Sequence, residues 1–243
     1  MKGPPPLNTV RRAQEVLDIE IESLQKARDG LGREFADAAA LILQCLEKKG
    51  KIVVTGIGKS LHIAQKISAT LASTGSTSVT LNPAQAMHGD LGILNAGDVL
   101  LALSYSGESE ELIALLPIAK RFGVAVVSIT GNPDSSLAKH SDVAVPAAVV
   151  REACPFNMAP TSSTTVALAI GDALAMVLLE ARGFEKDDYA KLHPGGAIGR
   201  SLLLRASDIM RTGDRLASIR DNAKVKDAVV AMTQARSGSA AVV

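Results

Sequence analysis

The sequence predicts an α/β fold in which five parallel strands form one sheet and helices cover both of its faces. Short apolar segments rich in β-branched residues alternate along the chain with segments of helical periodicity. This alternation is typical of strand–helix–strand units. The strand segments are continuously apolar, as expected for parallel strands that are buried on both faces. Folds of this kind bind ligands beyond the carboxyl ends of their strands.

The first predicted elements are helices over residues 8–48, with a break near Gly30, because apolar residues recur there at helical spacing. A long apolar helix is predicted over residues 161–182. Gly171 and Asp172 interrupt its apolar run, so we expect a buried helix and not a membrane span. The predicted strands are residues 51–55, 76–81, 99–103, 124–129 and 143–145.

The composition argues against a nucleic-acid-binding protein. Aromatic residues make up 2% of the 243 residues, and the formal net charge is +1 without a basic block, whereas nucleic-acid binding depends on stacking surfaces and basic patches. The two cysteines, Cys45 and Cys154, form no Cys-x-x-Cys pair, and the N-terminal residues lack an apolar leader. A cytoplasmic location is therefore expected. The four histidines are scattered along the chain, and no metal site is expected.

Three regions are predicted along the chain. Residues 1–48 supply the N-terminal helices, which we expect to pack on an α/β domain formed by residues 49–205. The last region, residues 206–243, carries a short helix candidate over residues 225–235 and ends in a strand-like segment. We expect this last region to be part of a second, incomplete domain.

A serine-rich turn follows the third predicted strand and precedes a predicted helix. It carries three hydroxyls, on Ser104, Ser106 and Ser109, around Gly107. The N-terminus of a helix presents unpaired backbone N–H groups and partial positive charge, and hydroxyl donors beside it complete a binding site for an anion. The turn therefore predicts a protein that binds a phosphate monoester, as part of a phosphorylated small molecule.

A second turn of this kind follows the first predicted strand, in the segment Gly56-Ile-Gly-Lys-Ser60. It is not a P-loop, since the first glycine of that motif would fall at Val53. It is not a dinucleotide-binding fingerprint either, since the third glycine would fall at Leu61. Ser60 lies near the start of the following helix, and Lys59 is either a cation beside the ligand or a solvated lysine.

Two carboxylates and two histidines are further candidates for chemistry. Glu111 lies in the first turn of its helix and serves either the ligand or the helix dipole. Glu152 follows the last predicted strand, where it either acts as a general base or forms a salt bridge with Arg151. His193 is either a functional histidine in a glycine-rich loop or an exposed one. His88 lies in another loop and is a candidate for binding a sugar hydroxyl.

The long predicted helix opens with the segment Thr161-Ser-Ser-Thr-Thr165. Serine and threonine are good N-caps, but five hydroxyls exceed what a cap needs. We therefore expect Thr161 and Ser162 to contact the ligand in addition to capping the helix.

Together, five segments resemble the sugar isomerase (SIS) domain family and, within it, the D-arabinose 5-phosphate isomerases. They are Thr55-Gly-Ile-Gly-Lys-Ser60, His88-Gly-Asp-Leu-Gly92, Ser104-Tyr-Ser-Gly-Glu-Ser109, Ala159-Pro-Thr-Ser-Ser163 and His193-Pro-Gly-Gly196. The resemblance covers residues 10–204 and implies a flavodoxin-like three-layer sandwich. The tail from Ala206 is similar to the opening of a CBS pair, the regulatory module that this family carries at its C-terminus.

The resemblance implies reversible aldose–ketose isomerisation of D-ribulose 5-phosphate and D-arabinose 5-phosphate through an enediol, a step that supplies Kdo for lipopolysaccharide. It implies no organic cofactor, and a homotetramer whose sites are formed by more than one subunit. Asn82 stands where the family often has a histidine that can hold zinc, which supports the expectation of no metal.

The resemblance also assigns roles to residues of this sequence. The family's catalytic lysine, its two glutamates and its histidine correspond to Lys59, Glu111, Glu152 and His193. The predicted substrate-binding residues are Ser60, His88, Ser104, Ser106, Ser109, Thr161 and Ser162. In the resulting mechanism Lys59 stabilises the enediolate, and Glu111 orients either a substrate hydroxyl or Lys59. The base is Glu152 or His193, and the sequence does not order them.

Three other functions are compatible with parts of this sequence. A non-catalytic sensor would bind the same sugar phosphate, since SIS domains also serve regulators as effector-binding modules, but no helix-turn-helix is evident in residues 1–50. An isomerase of a hexose or heptose phosphate differs in pocket size, which the sequence does not show. A structural assembly protein would leave the serine turn unexplained.

Overall fold

The computed structural model describes residues 8–194 and 205–243, and the chain divides into two units, one ending at Leu192 and one beginning at His193. The helices of the first unit are α1 (Thr9–Gly30), α2 (Arg33–Glu47), α3 (Lys59–Ser73), α4 (Pro83–Ala86), α5 (Glu110–Arg121), α6 (Ser136–His140), α7 (Ser162–Ala181) and α8 (Lys186–Leu192). Its strands are β1 (Ile52–Gly56), β2 (Ser78–Leu81), β3 (Val99–Leu103), β4 (Ala125–Thr130) and β5 (Val143–Pro146).

The strands of the first unit form one parallel sheet in the order β2-β1-β3-β4-β5, which confirms the predicted fold class. The chain runs from β1 to β2, crosses back to β3 on the other side of β1, and continues through β4 to β5. The direction of winding therefore reverses between β1 and β3, where sheets of this kind bind ligands. The register sets Gly56 beside Leu103, so the turns that follow these two strands begin next to each other.

Each face of the sheet contributes to its own apolar cluster. Val54 and Leu101 pack with residues of α2, α3 and α7 on one face, whereas Val53 and Leu100 pack with residues of α5 on the other. Neighbouring residues of one strand belong to opposite clusters because successive side chains of a strand point to opposite faces. Burial on both faces explains why the strand segments are continuously apolar.

The N-terminal helices share the first of these clusters. The break predicted near Gly30 is confirmed, since α1 ends at Gly30 and α2 begins at Arg33. Helix α2 buries Ala38 and Ile42 completely. The N-terminal helices and the sheet therefore belong to one unit with a common core.

Helix α7 is the one helix among the described residues that is long and apolar enough to cross a membrane. Length and composition are weak evidence for a span, because core helices pass the same test. In this structure Val166, Ile170 and Leu174 of α7 are buried in the cluster that also contains α2 and α3. The helix is a core element of the first unit.

Most predicted boundaries agree with the structure to within one residue, and β2 is the exception. It begins at Ser78 rather than at Ser76, because the Ser76 N–H donates to the Leu71 carbonyl of α3 at 2.8 Å and so belongs to the turn that follows this helix. The short helices α4 and α6 were not predicted, since four or five residues are too few to show helical periodicity.

The second unit contains α9 (Ala206–Ile209), β6 (Ser218–Ile219), α10 (Val225–Gln234) and β7 (Ala241–Val242). The two strands pair in parallel, so α10 forms the crossover of a small strand–helix–strand unit, and the helix predicted over residues 225–235 is confirmed. The relation to a CBS pair stays a prediction. So does the boundary after residue 205, because residues 195–204 lie outside the described part of the chain.

Candidate active site

The carboxyl ends of β3 and β4 open onto a cavity of about 60 Å³. Its wall includes Ser60 at the start of α3, Ser104 and Tyr105 in the turn after β3, and Ser163 and Thr164 at the start of α7. The structure thus brings together the two predicted turns and the predicted hydroxyl-rich helix start. Tyr105 was missed by the sequence reasoning, although its place between two serines of the turn was an available signal.

The turn after β3 is organised around the buried hydroxyl of Ser104. Its Oγ accepts a hydrogen bond from the Gly107 N–H at 3.1 Å and lies 3.2 Å from the Oγ of Ser109. Ser109 is the N-cap residue of α5, but its side chain caps no N–H of the helix. The first N–H groups of α5 are therefore available to an anion beside the two hydroxyls. Ser106 is exposed, and its Oγ accepts the Glu108 N–H at 3.3 Å.

Helix α6 holds this turn in place. The Gly107 carbonyl accepts the Leu137 N–H at 3.0 Å, and Oε1 of Glu108 accepts the Ser136 N–H at 2.8 Å. The bond from Ser136 keeps the pKa of Glu108 below its usual value. Gly107 has a φ of +69°, and a Cβ there would lie 2.1 Å from the Oγ of Ser135. Only glycine fits this position without displacing α6.

Lys59 and Glu111 lie at the beginnings of the helices that follow the two turns. Lys59 is the first residue of α3 and Glu111 the second residue of α5, and both are exposed. Neither side chain forms an ion pair or a hydrogen bond with another residue of the described ranges. Neither lines the small cavity, so the two charges stand outside it, near the same edge of the sheet.

Glu152 is buried in the loop between β5 and α7, with 7% of its surface exposed. Its Oε2 accepts the Thr161 N–H at 2.7 Å, the Thr161 hydroxyl at 2.8 Å and the Ser163 N–H at 3.4 Å. Burial, the largest single influence, raises the pKa of Glu152, but the bonds from Ser163 and Thr161 together outweigh it and leave that pKa below its usual value. The alternative of a salt bridge with Arg151 is not found among the described residues. The carboxylate caps α7 instead.

The start of α7 turns different hydroxyls to the cavity from those expected. The Thr161 hydroxyl donates to Glu152 and caps no N–H of the helix. Ser162, predicted to contact the ligand, is completely buried, and its Oγ has no partner among the described atoms. Ser163 and Thr164 line the cavity in its place. The hydroxyl-rich segment indicated this region, but only the position of the helix start selects the hydroxyls that face the cavity.

The two candidate histidines occupy different parts of the chain. His88 is exposed in the turn after α4, directly before Gly89, which with Asn82 and Asp90 lines a second cavity of about 560 Å³. His193 is the first residue of the second unit. Both assignments therefore stay predictions.

Within the described ranges, no group of three or more His, Cys, Asp or Glu side chains is arranged to hold a metal ion. Asn82 uses its side-chain oxygen to accept the Ala84 N–H at 3.0 Å. It thereby acts as the N-cap of α4.

The similarity of this chain to known proteins points to the same kind of site as the geometry does. The family model of the SIS domain matches residues 45–177. The chain is 47% identical over 228 residues to the arabinose 5-phosphate isomerase KdsD of Pseudomonas aeruginosa, a match that spans 94% of this chain and 69% of that protein. It is 48% identical over 225 residues to the arabinose 5-phosphate isomerase KdsD of Escherichia coli K12, spanning 93% of this chain and 68% of that protein.

Solved structures share the fold. An Escherichia coli CFT073 protein in complex with A5P is 37% identical with a TM-score of 0.74, and the match covers 78% of this chain and all of that one. The Vibrio vulnificus NanR protein complexed with ManNAc-6P has a TM-score of 0.61 at 21% identity, covering 82% of this chain and 71% of that one. This second similarity shows the fold alone.

Proposed function

The chain belongs to the SIS-domain family, and from that premise we propose that it is an isomerase that interconverts D-arabinose 5-phosphate and D-ribulose 5-phosphate. The observation that carries the proposal is the cup formed by Ser104, Ser109 and the uncapped start of α5, at the point where the sheet reverses its winding. Arabinose 5-phosphate isomerases at 47% and 48% identity match 94% and 93% of this chain. The similar Escherichia coli CFT073 structure contains A5P.

The cup suits the phosphate of such a sugar. Hydroxyls and helix N–H groups donate to phosphoryl oxygens, and hydrogen bonds to a charged acceptor are stronger than those to a neutral one. The cavity of about 60 Å³ is far smaller than the roughly 300 Å³ at which pockets for whole ligands begin. It therefore holds only part of the substrate, and the sugar extends outward. Binding energy from the phosphate then fixes the reacting carbons.

Isomerisation of the aldose requires one proton to move between neighbouring carbons. A base removes the proton from C2, the electron pair forms the enediolate, and a proton returns to C1, while the hydroxyl proton of O2 is lost and O1 gains one. We assign to Lys59 the stabilisation of the enediolate charge, and to Glu111 the orientation of a hydroxyl or of Lys59. Glu152 and His193 are the two candidates for the base.

The same proposal places the reaction in the cytoplasm, with Kdo for lipopolysaccharide as the use of the product. One observation supports the compartment. Cys45 and Cys154 are both free thiols, and thiols persist in reducing compartments.

The active form in this proposal is a homotetramer whose subunits share their sites. Exposed apolar surface supports association between copies of the chain. Phe156 and Met158, in the loop before α7, are 80% and 79% exposed. Leu17 and Ile21 of α1 are also exposed, beside an apolar groove of about 400 Å³ between α1 and α7.

The oligomer is tested by replacing Phe156 and Met158 together with serine and measuring the mass by light scattering. A smaller assembly is expected, since the exposed apolar anchors are lost. Phe122→Ser is the control, because Phe122 is also exposed but lies at the end of α5. A double variant that keeps the wild-type mass would place the subunit contacts elsewhere.

The activity is tested by incubating the protein with D-arabinose 5-phosphate in D₂O and following both sugars by NMR. Appearance of ribulose 5-phosphate is expected, with exchange at the carbon-bound hydrogens that the enediol step labilises. A sensor would bind the sugar phosphate without exchange. A parallel panel of pentose, hexose and heptose phosphates separates this activity from that of an isomerase for longer sugars, which would turn over those substrates in preference.

A further inference from the structure

We propose that Glu152 is a positioning residue, whose carboxylate fixes the loop of residues 152–161 and the first turn of α7, while another group carries the proton of the reaction. This inference rests on the proposed function and narrows its choice of base. It depends on where the Glu152 hydrogen bonds go and on which residues form the cavity wall.

The Glu152 carboxylate acts as a helix cap. Three donors, two from Thr161 and one from Ser163, converge on a single oxygen, Oε2. N–H groups at a helix start carry partial positive charge and have no partner within the helix, so a carboxylate satisfies both needs. A proton on Oε2 would compete with these donors and weaken the cap.

Glu152 also closes the loop of residues 152–161. Its N–H donates to Oδ1 of Asn157 at 2.7 Å, and the Ala153 N–H donates to Oγ1 of Thr161 at 2.8 Å. The Thr161 hydroxyl thus accepts a hydrogen bond from the Ala153 N–H while it donates one to the Glu152 carboxylate. Arg12 of α1 fixes the same segment from outside, because its guanidinium donates to the Ala153 carbonyl at 2.7 Å. The loop is tied at both ends, and Glu152 supplies the bonds to Asn157, Thr161 and Ser163.

Helix α7 connects this loop to the cavity. The bonds from Glu152 set the start of α7, and residues of the first turn of that helix, Ser163 and Thr164, line the cavity together with Ser60 and Ser104. Glu152 itself does not line it. The carboxylate therefore affects the cavity indirectly, by fixing the position of α7.

The hydrogen bonds to Glu152 also make it less suited to proton transfer. A general base works best when its pKa lies near the operating pH and its lone pair meets the substrate. The bonds from Ser163 and Thr161 hold the pKa of Glu152 below its usual value in spite of burial, which makes the carboxylate a weaker base. Of the two candidates, His193 is the one that remains.

Comparison of Glu152→Gln with Glu152→Ala tests the proposal. Glutamine keeps an oxygen that can accept the Thr161 bonds but cannot take up a proton as a base, whereas alanine removes both functions. We expect Glu152→Gln to keep kcat within about tenfold of wild type with an unchanged pH profile of kcat/KM, and Glu152→Ala to lose at least about a hundredfold. Loss of a general base costs about 10²- to 10⁴-fold, so a glutamine variant as inactive as the alanine variant overturns the proposal.

Variants of Thr161 give a second measurement. Thr161→Val removes the hydroxyl that Glu152 holds and is expected to behave like Glu152→Ala, while Thr161→Ser keeps the hydroxyl and is expected to stay near the wild-type rate. Wild-type activity for Thr161→Val would show that the carboxylate does not act through this residue.

Hydrogen exchange of the backbone amides gives a readout that does not depend on activity. The N–H groups of Ala153 and Thr161 are hydrogen-bonded in the loop that Glu152 closes. We expect these amides to exchange faster in Glu152→Ala than in wild type and at the wild-type rate in Glu152→Gln, with the amides of β3 as the internal control. Equal exchange in both variants overturns the positioning role even if the wild-type protein shows no isomerase activity, which would separately overturn the proposed function.

Discussion

The hydroxyl oxygens of Ser104 and Ser109 lie 3.2 Å apart across the junction of β3 and α5. One of the two hydroxyl protons bridges the pair, and the other is available to a third group. The Ser109 side chain caps no N–H of α5. The second hydroxyl proton and the first N–H groups of the helix are therefore both available to donate hydrogen bonds to an anion.

Replacement of Ser109 by alanine is expected to lower kcat/KM for the phosphorylated sugar roughly 10- to 100-fold, because a hydrogen bond to a charged acceptor is worth about 1.5–3 kcal/mol. Initial rates over a range of substrate concentrations measure the effect. Ser73→Ala is a matched control, since the Ser73 hydroxyl donates to the Thr70 carbonyl at the far end of α3. An unchanged kcat/KM for Ser109→Ala would remove this hydroxyl from the cup.

Gly107→Ala is expected to destabilise the protein more than a left-handed backbone alone explains. A positive φ costs a non-glycine residue about 1–2 kcal/mol, and at Gly107 the new Cβ would also meet Ser135 at 2.1 Å. Gly183→Ala is the control, because Gly183 has a similar φ of +61° but open space around it. Urea unfolding of the two variants gives the difference, and equal losses would contradict the clash.

Asp98→Ala is expected to lower the free energy of unfolding by about 3–5 kcal/mol, the usual cost of breaking a buried ion pair. Asp98 is 2% exposed, lies 2.6 Å from Nζ of Lys51, and accepts the N–H groups of Lys51 and Asn95. Asp98→Asn keeps an acceptor oxygen and should lose less. Glu15→Ala, which breaks the surface pairs with Arg11 and Arg12, should cost under about 1 kcal/mol. Equal unfolding free energies for Asp98→Ala and Glu15→Ala would contradict this.

The two thiols are expected to differ in reactivity. The N–H groups of Ala159 and Met158 donate to Sγ of Cys154 and lower the pKa of its thiol, whereas burial raises the pKa of Cys45. The thiolate is the reactive form, so a lowered pKa leaves more thiolate at neutral pH. Iodoacetamide at pH 7 should therefore label Cys154 first, as followed by mass spectrometry. Cys154→Ser should abolish the fast phase, and labelling of both thiols at the same rate would contradict the assignment.

The sequence predicted the serine turn and the hydroxyl-rich start of α7, but not which hydroxyls of that helix line the cavity, for a physical reason. The hydroxyls of Ser104 and Ser109 are separated by a few residues, and a turn between a strand and a helix brings them together locally. Ser162 and Ser163 are adjacent in the chain, and a helix turns each residue by 100° from the last, so their roles depend on where α7 begins. That position depends on Glu152, ten residues before Ser162.

The sequence by itself determined the five strands, the long helices and the chemistry of each turn, because periodicity, β-branching and turn residues act over a few neighbouring positions. Only the tertiary structure decided which turns meet and which partner Glu152 takes. The order β2-β1-β3-β4-β5 sets Gly56 beside Leu103, and the carboxylate of Glu152 bonds to Thr161 rather than to its neighbour Arg151. Such pairings depend on contacts between residues that are distant in the chain, and local patterns do not contain them.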